Sequence, residues 1–81
     1  EGAVAAHQRA IALDPNHAAA HNNLGSALRA HGRPAEAVAA FRRAIELDPA
    51  SAAAHFNLGL ALGDEPAAVA AFRQAVRLNP K

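Results

Sequence analysis

Apolar residues recur along the chain at the three- and four-residue spacings that place side chains on one face of an α-helix. Leu24 and Leu28 share such a face. Val38, Phe41 and Ile45 share another in the segment that follows. The pattern predicts five α-helices, near residues 2–13, 18–30, 35–47, 52–62 and 66–78.

Glycine and proline mark the ends of these helices. Gly32 supplies the positive φ that ends one helix, and Pro34 suits the first turn of the next. Asp48 followed by Pro49 stops that second helix in turn. The middle of the chain is therefore a pair of helices joined by a short turn.

The two helices of this pair carry complementary surfaces. Phe41 is the one large side chain of its helix, and Ala37, Ala40 and Ala44 beside it form a surface of small residues that permits close approach. Gly25 lacks a side chain and leaves room for a neighbouring helix. We expect Phe41 to occupy the space that Gly25 leaves.

The chain repeats itself at an interval of 34 residues. The segment HNNLG begins at His21 and HFNLG begins at His55, while LDP ends at Pro15 and again at Pro49. The segment LNP closes at Pro80, only 31 residues after Pro49. The chain is thus half a repeat, a full repeat and a repeat that is three residues short.

The three missing residues fall between Gly59 and Phe72. They amount to almost one helical turn, so the fourth helix should stop at Gly63 and the chain should turn at once through residues 64–66. We expect the apolar stripes of both helices to survive because the loss falls at the loop.

The residues that recur at this interval resemble the tetratricopeptide repeat. The full copy carries Leu24, Gly25, Leu28, Ala37, Phe41, Ala44 and Pro49; the shortened copy carries Leu58, Gly59, Leu62, Ala68, Phe72, Ala75 and Pro80; the leading half carries Ala3, Ala10 and Pro15. The chain departs from the family where His21 and His55 replace a usual bulky residue and His7 replaces an expected Phe.

The resemblance implies an all-α fold, an α-solenoid in which antiparallel helix pairs form a right-handed superhelix. About two and a half repeats and five helices would make one domain over residues 1–81. Residues 1–17 would be the second helix of a partial repeat, 18–51 the full repeat and 52–81 the shortened one.

In that family the first helices line a concave groove, which here would carry Asn22, Asn23, Ser26, Arg29, Phe56, Asn57 and Leu60. Asn23 and Asn57 stand one repeat apart, and a side-chain amide can bond both the C=O and the N–H of an extended peptide. Similar asparagine ladders hold peptide backbones in O-linked N-acetylglucosamine transferases, whose NNLG-type segments these resemble. The alternative is that these positions are solvent-exposed and accept asparagine without any binding role.

Two further features of the groove have open interpretations. Phe56 and Leu60 would either anchor a ligand side chain or be covered by a following repeat, and we favour the cover. Arg29 is the one cation that we assign to the groove side. Some family members bind the terminal carboxylate of a peptide with lysines or arginines in the groove, and one cation is too few for that arrangement.

Composition narrows the classes of partner. A formal net charge of +1 and the absence of tryptophan and tyrosine argue against nucleic acid and against a membrane surface. No apolar run approaches the ~20 residues of a membrane-spanning helix, so we expect a soluble domain, with the cytoplasm slightly favoured. Four arginines are assigned to the solvated convex side: Arg42, Arg43, Arg73 and Arg77.

Catalytic and metal-binding interpretations find little support, and no cofactor is expected. Ser26 and Ser51 have no His and acid in register, and helix capping explains Asp14 and Asp48 in their turns before proline. His17 lies four residues before His21, but no second pair completes a zinc site. We interpret His21 and His55 as half-buried packing residues.

Both terminal helices lack a neighbour that the repeat pattern requires. The helix at 66–78 has no following helix to cover Val69, Phe72 and Val76, so we expect either self-association or membership of a longer protein. Three functions remain open: a module that binds an extended peptide, a substrate-docking segment of a larger enzyme such as a glycosyltransferase, and a structural self-association element.

Overall fold

The computed structural model describes residues 2–80, which form five α-helices. They are α1 (Gly2–Leu13), α2 (Ala18–Ala30), α3 (Pro34–Leu47), α4 (Ala52–Leu62) and α5 (Pro66–Leu78). The predicted all-α fold is confirmed, and four of the five helices have the predicted bounds. Helix α3 begins one residue earlier because Pro34 itself takes its first helical position.

Helices α2 and α4 begin at equivalent capping residues with different chemistry. His17 caps α2, where its Nδ1 atom accepts a hydrogen bond from the backbone N–H of Ala20 at 3.1 Å. Ser51, 34 residues later, caps α4 through Oγ, which accepts from the N–H of Ala54 at 3.2 Å. Each cap satisfies one of the N–H groups that the first turn of a helix leaves unpaired.

The capping expected of Asp14 and Asp48 is made by their backbones at helix ends, and Asp48 is the C-cap of α3. Both residues end a helix through the backbone: the N–H of Asp14 donates to the carbonyl of Ala10 at 3.0 Å, and that of Asp48 to Ala44 at 2.9 Å. The side chains that cap the following helices belong to residues three positions further on.

The shortened repeat loses its residues from helix ends. Helix α4 has 11 residues where α2 has 13, and it stops at Gly63, whose φ is +64°, as predicted. The predicted shortening of α4 relative to α2 is confirmed, and because the connections at 31–33 and 63–65 have the same length, the loss falls on the helix ends beside the loop. The third residue comes from α5, which has 13 residues where α3 has 14.

Consecutive helices pack against one another, and α2 also contacts α4. Within residues 2–80, α3 contacts neither α1 nor α5. In a curved stack the helices on the inner side approach each other most closely, so α2 and α4 form the inner wall. The first helix of each pair therefore lies in this inner wall.

The core is built from small residues around one large ring. Eight of the thirteen buried hydrophobic residues in the described chain are alanine, and Phe41 is completely buried among them. A Cβ atom added to Gly25 would lie 2.5 Å from Cε1 of Phe41, and one added to Gly59 would lie 2.6 Å from Cε1 of Phe72. The predicted fit between Phe41 and Gly25 is confirmed, and it recurs in the shortened repeat.

Candidate binding groove

The residues assigned to the groove lie on the two inner helices. Five of their side chains are exposed: Asn23, Ser26, Arg29, Phe56 and Leu60. Asn22 and Asn57 are half-buried. No helix within residues 2–80 has the length and apolar character needed to cross a bilayer.

A side-chain hydrogen bond joins the two inner helices at the centre of this surface. Nδ2 of Asn57 donates to Oδ1 of Asn22 at 3.1 Å. Within the described residues, neither Nδ2 of Asn22 nor Oδ1 of Asn57 has a further partner. The bond therefore fixes the orientation of both amides and leaves one NH₂ group and one carbonyl oxygen without a protein partner.

The two asparagines related by the repeat have different surroundings. Asn57 faces Asn22 across the contact between α4 and α2, whereas Asn23 is exposed and forms no side-chain hydrogen bond in the described part of the chain. The difference follows from the order of the helices. Asn23 occupies in α2 the place of Asn57 in α4, but the helix before α2 is a second helix, so no amide lies opposite it.

The aromatic side chain of Phe56 lies at the open edge of α4. Its ring packs on that of Phe72, with centroids 5.6 Å apart and planes tilted by 56°. Beside these rings is an open cleft of about 420 Å³, lined by Ala52, Ala53, Phe56, Phe72, Ala75, Val76 and Asn79. Phe56 therefore belongs to this cleft, which we call the terminal cleft, as well as to the wall that carries Asn57.

Comparison with known proteins assigns this helical array to a family. The family model described as tetratricopeptide repeat matches the chain twice, over residues 1–52 and 23–81. The chain belongs to the tetratricopeptide-repeat family. Such repeats generally mediate protein–protein interaction. No curated protein shows a significant match.

Two crystal structures of MamA resemble the repeat array along nearly its whole length. One is 31% identical with a TM-score of 0.87 and covers 95% of this chain and 47% of its own. The other is 32% identical with a TM-score of 0.84 and covers 96% of this chain and 44% of its own. The array thus spans less than half the length of the MamA chains that it matches.

The histidines that replace a bulky residue in these tetratricopeptide repeats secure the turn before each first helix. Nε2 of His21 lies 2.8 Å from the carbonyl oxygen of Pro15, and Nε2 of His55 lies 3.2 Å from that of Pro49. A carbonyl oxygen only accepts, so each ring nitrogen donates. His55 is half-buried as predicted, whereas His21 is buried. Residues 2–80 contain no cluster of three or more His, Cys, Asp or Glu side chains that could hold a metal.

Sequence reasoning missed the partner of Asn57 because it compared equivalent positions of the repeat. The amides that meet are 35 residues apart rather than 34, since side chains from adjacent first helices interlock with an offset of one position. Two neighbouring asparagines in α2, Asn22 and Asn23, were the available signal. Only the packing of α2 on α4 decides which of them is used.

Proposed function

We propose that this tetratricopeptide array binds an extended segment of a partner protein along the concave surface of α2 and α4. The hydrogen bond between Asn22 and Asn57 is the observation that supports the proposal most strongly. It holds two amides in a defined orientation on the inner wall formed by α2 and α4. The proposed role is binding rather than catalysis, and the hydroxyl of Ser51 already serves as a helix cap.

The amide pair suits a peptide backbone. The NH₂ group of Asn22 can donate to a peptide carbonyl, and Oδ1 of Asn57 can accept from a peptide N–H. Because their own bond restricts both side chains, less conformational entropy is lost when a peptide arrives. Such contacts read the backbone and accept many ligand sequences, while the exposed Asn23, Ser26 and Arg29 add contacts along the same helix.

The test begins with a library of displayed heptapeptides selected on the 81-residue chain. Selected peptides should bind the Asn22→Ala/Asn57→Ala double variant roughly tenfold more weakly, since two hydrogen bonds of about 0.7 kcal/mol each are lost. Calorimetry or fluorescence anisotropy measures this. Methylation of individual backbone nitrogens in one selected peptide should weaken binding most at the position whose N–H donates to Oδ1 of Asn57.

The matched control is Gln8→Ala, which removes a side-chain amide from an exposed position of α1 and leaves both asparagines in place. Equal affinity of the selected peptides for the double variant and the parent chain would refute the proposal. Failure to select any peptide would count against it as well.

Two other roles remain predictions. A docking segment of a larger glycosyltransferase would use the same groove, and the relation of its asparagines to those of O-linked N-acetylglucosamine transferases belongs to that prediction. Self-association is favoured by one observation, the exposure of Val69 and Val76 on α5, and sedimentation at increasing protein concentration tests it.

A further inference from the structure

The outer face of α5 can be compared with the equivalent face of α3, which another helix covers in the same molecule. Val4 on α1 is 3% exposed and Val38 on α3 is half-buried, whereas Val69 at the same place on α5 is 53% exposed. The helix that follows α1 or α3, namely α2 or α4, packs against it, whereas no helix follows α5 within residues 2–80. A helix could therefore pack against this face of α5 in the way that α4 packs against α3.

The volume of the terminal cleft also indicates that a helix could pack against α5. Its counterpart between α2 and α3 measures about 120 Å³ and is lined by Ala18, Ala19, Asn22, Ala44, Asp48 and Ser51. Ser51 is the residue that begins α4, so the start of the covering helix closes this counterpart. The terminal cleft, at about 420 Å³, has no such residue. A helix that fills it would begin beside Ala75 and Asn79.

The covered face also shows which side chains of the incoming helix meet α5. His55 and Leu58 of α4 line one surface with three residues of α3: Arg42, Ile45 and Glu46. Thirty-one residues later the same positions of α5 hold Arg73, Val76 and Arg77. The interior site has one cation and one anion here, whereas α5 has two cations beside the exposed valine.

We propose that this face of α5 binds an amphipathic, acidic α-helix of a partner protein. The helix places a leucine against Val76 and Phe72, in the position of Leu58, and a glutamate or aspartate three residues earlier, in the position of His55, opposite Arg73 and Arg77. Charge complementarity selects this occupant. A second copy of the chain fits poorly, because a two-fold pairing of α5 helices opposes the arginines of one copy to those of the other.

The site shares Phe56 with the groove but contains neither Asn22 nor Asn57, so changes to the two amides and changes to α5 test the two proposals independently. The probes are two synthetic helices copied from residues 50–63, one with His55→Glu and one with His55→Lys. Both carry the same lactam bridge on the side away from His55 and Leu58, which holds short helices equally folded. Fluorescence anisotropy measures their affinity for the 81-residue chain.

The Glu helix should bind about tenfold or more tightly than the Lys helix, and the difference should shrink as salt is added. Arg73→Glu/Arg77→Glu should reverse the preference. Val76→Asp should abolish binding of both helices, and because Val76 is 61% exposed the variant should keep its helical circular dichroism. Arg9→Glu, a charge reversal at an exposed residue of α1, is the matched control and should change nothing.

Three results would overturn the proposal. Equal affinity for the two helices would remove the acidic specificity, and binding that survives Val76→Asp would place the helix elsewhere. A dimer in sedimentation that Val76→Asp dissolves would show that a second copy covers the face. A longer polypeptide that contains this sequence and excludes both helices would show that its own following segment covers it.

Discussion

Phe41 lies so close to Gly25 that a Cβ atom on the glycine would come within 2.5 Å of the ring. Phe72 and Gly59 repeat the arrangement at 2.6 Å, but Phe72 is only half-buried and borders the terminal cleft. The same contact therefore occurs once in a closed core and once at an open edge. The two sites form a natural pair for measuring how much room a ring has to move.

Gly25→Ala should destabilise the chain by about 1–2 kcal/mol. Overpacking against the rigid Phe41 costs about 1–3 kcal/mol, and the higher helix propensity of alanine returns up to ~1 kcal/mol. Gly59→Ala should be neutral or slightly stabilising, because Phe72 can shift into the cleft. Urea unfolding followed by circular dichroism measures both, and equal losses would show that the open edge is as rigid as the core.

Ser51→Ala should lower the free energy of unfolding by ~1 kcal/mol, because Oγ of Ser51 caps α4 through the N–H of Ala54. Ser26→Ala is the matched control. Ser26 is exposed in the interior of α2 and forms no side-chain hydrogen bond within the described residues, so alanine should leave stability unchanged or raise it by a few tenths. Similar effects of the two changes in urea unfolding would contradict the capping role.

His21→Ala should cost more than His55→Ala. His21 is buried, with 9% of its surface exposed, and bonds the Pro15 carbonyl at 2.8 Å; His55 is half-buried and bonds Pro49 at 3.2 Å. We expect about 1–3 kcal/mol for the first and less than about 1 kcal/mol for the second. The comparison uses the same unfolding measurement, and the reverse order would mean that burial does not set the cost.

A double-mutant cycle of Asn22→Ala and Asn57→Ala should give a coupling energy of about 0.5–1 kcal/mol, the net value of a partly exposed hydrogen bond. The cycle of Asn23→Ala with Asn57→Ala is the control and should give a coupling near zero, because Asn23 does not contact Asn57 through a hydrogen bond. A larger coupling energy with Asn57 for Asn23 than for Asn22 would show that the residues at equivalent repeat positions, Asn23 and Asn57, interact instead.

Helix bounds could be predicted closely because they depend on local chemistry. Gly32 and Gly63 adopt φ values of +75° and +64°, and Pro34 and Pro66 occupy first helical positions. Each effect involves residues within one turn of the chain, so the local amino-acid sequence is enough to predict where a helix begins and ends. The fit of Phe41 to Gly25 was also predictable, because size alternates between the two helices.

The polar details were less accessible. His17 lies four residues before His21, a spacing that zinc ligands can have, but it is the N-cap of α2; Asp48, expected to cap, is the C-cap of α3 through its backbone. Both residues lie in short turns, where a shift of one or two positions changes the group that reaches a backbone N–H. The sequence pattern places Asn22 in the groove, but only the fold shows that Asn57, 35 residues away, is its partner.

The amino-acid sequence by itself determined the five helices, their pairing by a repeated pattern and the family, since periodicity and turn residues act over short distances. The tertiary structure decided which amides meet and which apolar face stays open. Those outcomes depend on the offset between α2 and α4 and on the absence of a covering helix over Val69 and Val76 in the described chain. Both are relations between elements distant in sequence, set by how whole helices pack.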